Sequence, residues 1–305
     1  MKELHVSQAP HINSGASTRT VMLDVIIALL PATIASIVLF RLSALWIILT
    51  CVISAVLAEA IFNLCVKKKQ TITDLSAVVT GLILALNLST NVKLWQCALG
   101  SVFAIIVVKC LFGGLGKNIA NPAIAARVFL LLTFATTVAG GANPVIAEIT
   151  SSATPLANSF ADVTITKLLL GLHGGSIGET CAIAILIGYV YLVVRKDIKW
   201  YVPFAFVLTV FVLYLISERS FSFALKEILA GGLLFGAVFM ATDYVTTPIS
   251  NLGKTVFAVG CGIITFLIRK FGSYPEGVSI SILVMNLFVP LIERVTMPNT
   301  LGKIK

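Results

Sequence analysis

The feature that most limits what this chain can become is a succession of ten apolar stretches divided by mostly short polar turns. They run over 21–40, 44–66, 75–88, 94–112, 122–139, 179–195, 200–217, 225–242, 254–268 and 277–292. A helix needs roughly 20 predominantly apolar residues to cross a bilayer, and water offers no way to bury so many such stretches in one small domain. Charge confirms the direction: 11% of the 305 residues are charged, where soluble domains average about 25%. The chain is therefore predicted to be an all-α integral membrane protein. Its first 20 residues are polar and lack an apolar core, so no signal peptide is expected there.

Four of the ten stretches, the third, fifth, eighth and tenth, are short or interrupted by Gly and Pro. They recur in order. Thr80-Gly-Leu-Ile-Leu-Ala-Leu-Asn87 is similar to Ala230-Gly-Gly-Leu-Leu-Phe-Gly236, and about 40 residues after each comes a Pro-led segment, Asn121-Pro-Ala-Ile and Tyr274-Pro-Glu-Gly. The offset between the copies is close to 150 residues. An odd number of spans per copy makes the second copy inverted relative to the first. Paired short segments in inverted halves point to a midplane site built from broken helices. The expected organisation is a cytoplasmic segment 1–20, a five-helix repeat 21–139, an external loop 140–178, a second repeat 179–293 and a cytoplasmic tail 294–305.

The net charge of +9 does not indicate nucleic-acid binding, because Lys and Arg sit mainly in the short loops. With both termini in the cytoplasm, fourteen of them, Lys109 included, fall inside and seven, Arg269 included, fall outside, with Arg127 in the fifth span. That bias orients a multi-pass protein of the cell membrane and puts 140–178 outside. The six cysteines lie within apolar stretches with no C-x-x-C spacing, which argues against a cluster, a zinc site or a disulfide framework. His5, His11 and His173 lie outside the spans, which argues against haem held by axial ligands on the helices.

Three kinds of stretch could carry chemistry. The interval Gly140–Gly178 is the one long polar loop, and loops longer than about 12–15 residues are usually functional or disordered. Its Ser151-Ser-Ala-Thr154 run leaves a hydroxyl accessible to modification, although a Ser/Thr-rich loop is more often simply solvated. Second, Gly113-Gly-Leu-Gly-Lys117-Asn118-Ile-Ala-Asn121-Pro122 is a Gly-rich turn entering a Pro-initiated helix. Free N–H groups there favour an anion or a carbonyl ligand, and a tight re-entrant turn without a ligand is the plainer reading. Third, Asp24, Glu59, Arg127, Glu179 and Asp243 are ionisable residues at or near membrane depth, where charge is costly and points to function. Glu59 lies deepest within its span.

Five stretches taken together resemble the D subunit of the Rnf ion-translocating electron transport complex and, more distantly, the B subunit of the sodium-translocating NADH:quinone reductase. They are Leu94-Trp-Gln-Cys-Ala-Leu-Gly100, Gly113 to Ala123, Ser151-Ser-Ala-Thr-Pro155, Gly175-Ser-Ile-Gly-Glu179, and Met240-Ala-Thr-Asp243 with Tyr274-Pro-Glu-Gly277. The resemblance implies ten helices in a urea-transporter-like inverted repeat. It implies FMN joined through its phosphate to the last residue of the Ser-(Gly/Ser)-Ala-Thr run, Thr154, with Ser152 beside it. It also implies a non-covalent riboflavin nearer the cytoplasmic side, for which Arg127, Lys117, Asn118, Asn121 and Asp243 are candidates. Ser152, where the quinone-reductase relative has Gly, favours the Rnf branch.

The resemblance further implies a membrane component of a translocating ferredoxin:NAD oxidoreductase that has no complete activity alone. Its partners would be membrane lipid, a flavin transferase and the other Rnf subunits (A, B, C, E and G), above all the external FMN-carrying G subunit. Glu59 and Asp243 are candidates for a Na⁺ or H⁺ path. The rival reading is a small-solute channel or secondary transporter of the same architecture, since fold alone does not fix function. A purely structural scaffold is poorly supported, because Glu59 and Arg127 would then be costs without use.

Overall fold

The computed structural model describes residues 17–138, 144, 156, 164–272 and 277–297, and over those residues the chain is helical with no strand element. Every one of the ten apolar stretches carries a helix. Among the described residues, five helices are long and apolar enough to cross a membrane: α1 (Thr18–Phe40), α2 (Leu42–Cys65), α9 (Tyr201–Glu218), α12 (Asn251–Phe271) and α13 (Val278–Thr296). A sixth span is a bent pair, α10 (Phe221–Leu229) and α11 (Leu233–Phe235) with its continuation to Met240, turning through 64°. The shorter apolar helices are α3 (Ser76–Leu86), α4 (Leu94–Val102) with its continuation to Cys110, α5 (Pro122–Thr133) and α8 (Ala182–Arg195). Two small helices, α6 (Ala135–Val138) and α7 (Ile165–Leu170), complete the order.

The outer helices leave large apolar side chains uncovered along their length, for example Leu30, Ile34 and Val38 on α1 and Ile53, Leu57 and Ile61 on α2. A helix apolar on its outward as well as its inward face belongs in lipid. The chain is a multi-pass membrane protein.

Helix starts follow local chemistry. Ser17 accepts from Thr20 N (3.3 Å) while Thr20 Oγ1 accepts from Ser17 N (2.9 Å), a reciprocal cap on α1. Asn121 Oδ1 accepts from Ala123 N (3.0 Å) and Ile124 N (3.4 Å), and Pro122 occupies the first turn of α5. Close packing follows from small residues: a Cβ on Gly81 of α3 would meet Cys51 O at 2.8 Å and Val52 Cα at 2.9 Å, so α2 and α3 touch backbone to backbone.

Two expectations are corrected. The tenth stretch is not broken; α13 runs 19 residues from Val278, and Pro275 lies outside the described residues. The fourth stretch changes from α to π geometry at Phe103–Cys110, as the eighth does at Gly236–Met240. Lastly, the end of the long polar interval is not a solvated loop. Residues His173–Thr180 are buried, and Ile177 N and Gly178 N donate to Leu88 O (2.9 Å) and Leu86 O (2.7 Å), plugging the end of α3.

Candidate functional site

Between the helices lies a cleft of about 800 Å³, its open mouth included. Val25 of α1, Val79 and Ile83 of α3 and Val238 and Phe239 of the bent span give it apolar walls, and Lys109, Asn118, Asn121 and Asp243 give it polar groups. Both π-helical stretches border it, with Lys109 on one and Val238 and Phe239 on the other. Such π turns are rare and concentrate at functional sites. An apolar cleft with a few convergent polar groups is the usual form of a small-molecule site.

The sequence candidates divide here. Asn118, Asn121 and Asp243 come together on the cleft. Asn118 Oδ1 is buried and has no partner, so it is an acceptor awaiting an N–H donor. Asn121 spends its Oδ1 on the cap of α5. Asp243 accepts from Val245 N (3.2 Å) and Thr246 Oγ1 (3.0 Å), which fixes the turn after the bent span. Lys117 is exposed and does not line the cleft; its stem covers Gly113. Arg127 lies elsewhere, donating to Asn87 Oδ1 and to Ser176 Oγ (3.3 Å). Ser152 and Thr154 lie outside the described residues. A flavin ring fits this donor set: it is planar and apolar on its faces, and its ring edge offers the N–H that Asn118 Oδ1 lacks.

Glu59 is buried at 2% exposure, as expected of a residue deep in α2, but it is not alone. Lys109 Nζ donates to Glu59 Oε1 (2.9 Å) and to Ser76 Oγ (2.6 Å). Thr71 Oγ1 also donates to Glu59 Oε1 (2.6 Å), and Ser76 Oγ donates to Asp74 Oδ1 (2.5 Å). The sequence pattern puts Lys109 among the loop charges. It is instead 2% exposed, within the π-helical stretch. Arg269, counted outside, is likewise buried against Glu227 (3.3 Å). On the far side of Glu59 is a second cleft, about 600 Å³ with its mouth, bordered by Asn63, Lys68, Lys69, Thr71 and Asp74.

Near the centre, Glu179 accepts from Ser176 N (2.9 Å) through Oε1, while its buried Oε2 has no hydrogen-bond partner. A Cβ on Gly232, at the break of the bent span, would meet that Oε2 at 3.0 Å. Asp24, expected near the headgroup boundary, pairs with Arg195 (2.8 Å) and accepts from Tyr191 Oη (2.9 Å). Asp197, which sequence reasoning missed, lines the main cleft, and burial raises its carboxyl above the usual range. Nothing in its sequence neighbourhood marks it; only the fold brings the α8–α9 turn beside Thr242. Among the described residues no group of His, Cys, Asp and Glu could hold a metal. Of the cysteines, Cys51, Cys97, Cys110 and Cys261 are buried while Cys65 is exposed.

A family model that describes the NQR2, RnfD, RnfE family matches residues 5–302 of the chain. The chain belongs to that family. Within it, the chain is 44% identical over 314 residues to the D subunit of the Na(+)-translocating ferredoxin:NAD(+) oxidoreductase complex of Acetobacterium woodii, covering 100% of this chain and 98% of that one. It is 36% identical to the D subunit of the proton-translocating ferredoxin:NAD(+) oxidoreductase complex of Clostridium ljungdahlii, covering 97% and 96%. It is 35% identical to the D subunit of the ion-translocating oxidoreductase complex of Stutzerimonas stutzeri, covering 94% and 93%. These relatives support a place for the chain as a membrane component within a multi-subunit oxidoreductase complex.

Proposed function

We propose that this chain is the flavin-carrying membrane subunit of an ion-translocating ferredoxin:NAD oxidoreductase complex. In this reading Thr154 holds FMN through a phosphoester, on the external side, and the main cleft holds riboflavin. The observation that carries the reading is the cleft itself, whose apolar walls and orphaned Asn118 Oδ1 suit a neutral planar ring with an N–H edge. Asn118 would orient that ring, Asn121 and Asp243 would shape its rim, and Val79, Ile83 and Phe239 would exclude water from its faces. The bound flavins supply the electron chemistry; the protein supplies position and electrostatics. Ser152, Lys117 and Arg127 would act outside the cleft, the first beside the covalent attachment.

The ten helical stretches are read as two inverted five-helix repeats, with both termini in the cytoplasm of the cell membrane. The antiparallel pairing of α1 with α8, through the Asp24–Arg195 contact at matching ends, supports that orientation of the halves. Electrons would enter from an external flavoprotein partner, and Glu59 and Asp243 would lie on the path of the coupled Na⁺ or H⁺.

Two substitutions test the assignment in the complex produced with its flavin transferase. Thr154→Ala should abolish flavin fluorescence of the denatured chain in a gel; surviving fluorescence would place the attachment elsewhere. Val238→Trp should fill the cleft and release the non-covalent flavin while leaving the covalent one. Retention of both would remove riboflavin from this cleft.

A further inference from the structure

The Glu59–Lys109 pair is the wall between two open clefts. Lys109 and Ser76 border the main cleft; Glu59 and Asp74 border the second. The pair is nearly closed to solvent, with side-chain exposures of 3% for Lys109 and 2% for Glu59. A half-satisfied buried charge is costly, and this pair carries one beside two open clefts. Glu59 Oε2 is buried without a partner. An ammonium has three N–H groups, and Glu59 and Ser76 take two of those on Lys109, which leaves the third for the cleft.

We propose that Glu59 and Lys109 form a proton relay that carries one proton from water in the second cleft to the ligand of the main cleft. This rests on the reading of that ligand as a flavin, which takes up protons as it takes up electrons. The electrons come from a one-electron donor of the assembled complex, and none passes through the pair. As the ligand is reduced, the N–H bond at Lys109 breaks and a new N–H bond forms at a ring nitrogen of the ligand. Water in the second cleft then protonates the Glu59 carboxylate on Oε2, the carboxyl rotates and passes that one proton to Lys109, and the ion pair is restored.

The surrounding groups suit this path. Lys68, Lys69 and Asp74 face Glu59 from the second cleft, with Asn63 and Thr71 as neutral neighbours. Asp243 and Asp197 border the main cleft. Of the cations named, only Lys109 reaches the main cleft, so it is the one among them able to follow charge arriving on the ligand. Lysine also suits the role chemically. An ammonium can give up its proton when desolvated, whereas a guanidinium stays charged.

That difference supplies the test. In the purified complex, electrons are injected rapidly while absorbance follows the non-covalent flavin and a pH-indicator dye follows proton uptake. In the unmodified complex, uptake should keep step with reduction of that flavin. Lys109→Arg keeps the charge opposite Glu59 and should slow uptake by roughly a hundredfold, the usual worth of a positioned proton donor. Glu59→Gln keeps the acceptor for Lys109 and should slow it similarly, and it decides the matter if Lys109→Arg loses the flavin. Uptake at the original rate in a flavin-retaining Lys109→Arg or Glu59→Gln complex would overturn the relay. If Val238→Trp leaves the non-covalent flavin bound, the flavin reading of the cleft falls first and takes the relay with it.

Discussion

Two buried ion pairs among the described residues are built for different ends. Glu227 on α10 meets Arg269 on α12; Glu59 on α2 meets Lys109 at the end of the π-helical stretch. Two of the three hydrogen bonds from Arg269 go to backbone. They reach Glu227 O (2.7 Å) and Ala230 O (3.2 Å), closing the carbonyl end of α10 where the span breaks. Lys109 donates only to side chains, and open clefts lie on both sides of its pair. The first pair replaces the hydrogen bonds a broken helix loses. Each pair leaves one buried atom unpartnered, Arg269 Nε and Glu59 Oε2, and only the second faces a ligand-sized space. Burial of a charge in this fold therefore does not by itself mark function; what the charge is bonded to does.

The largest expected effect separates the two pairs directly. Arg269→Met strands Glu227 and uncaps α10, and should destabilise the fold by about 3–5 kcal/mol. Lys109→Met leaves a carboxylate that the second cleft can hydrate, and should cost only about 1–3 kcal/mol, near the penalty for one unsatisfied polar group. Thermal unfolding in detergent measures both, and equal losses would erase the distinction between the pairs.

A smaller effect sharpens the structural side of the comparison. Gly231 sits at φ +67° beside Arg269, and a Cβ there would meet Leu156 Cδ1 at 2.6 Å and Arg269 Nη2 at 3.1 Å. Gly231→Ala should cost about 1–2 kcal/mol from the left-handed backbone before any clash is relieved. Its loss should not add fully to that of Arg269→Met, because the two residues share one helix end. The smallest effect belongs to Asp24–Arg195, whose arginine is 53% exposed. Asp24→Asn should shift the unfolding midpoint least of the four, and added salt should shrink even that shift.

Most of the membrane architecture was legible because apolar length is a property of the sequence itself. All ten stretches are helical, and the corner at Asn121-Pro122 starts a helix where Asn and Pro are suited to start one. The site was legible only in part. Asn118, Asn121 and Asp243 were found because turn residues beside Gly and Pro stand out in an apolar chain. Lys109 was not, because a lysine near the end of an apolar stretch looks like a loop charge. Its burial, within the π-helical stretch, shows only in the fold. Arg269 was hidden in the same way, by a partner 42 residues away. The partners of Arg127, Asn87 and Ser176, lie 40 and 49 residues from it, and no local spacing joins them.

One weighing reaches the central claim, a covalent redox carrier in the membrane. The denatured chain, made alongside a flavin transferase, should exceed its sequence mass by one FMN less one water, and the excess should map to the peptide holding Thr154. An unmodified mass under those conditions would contradict that carrier and leave a pore as the better description of the same helices.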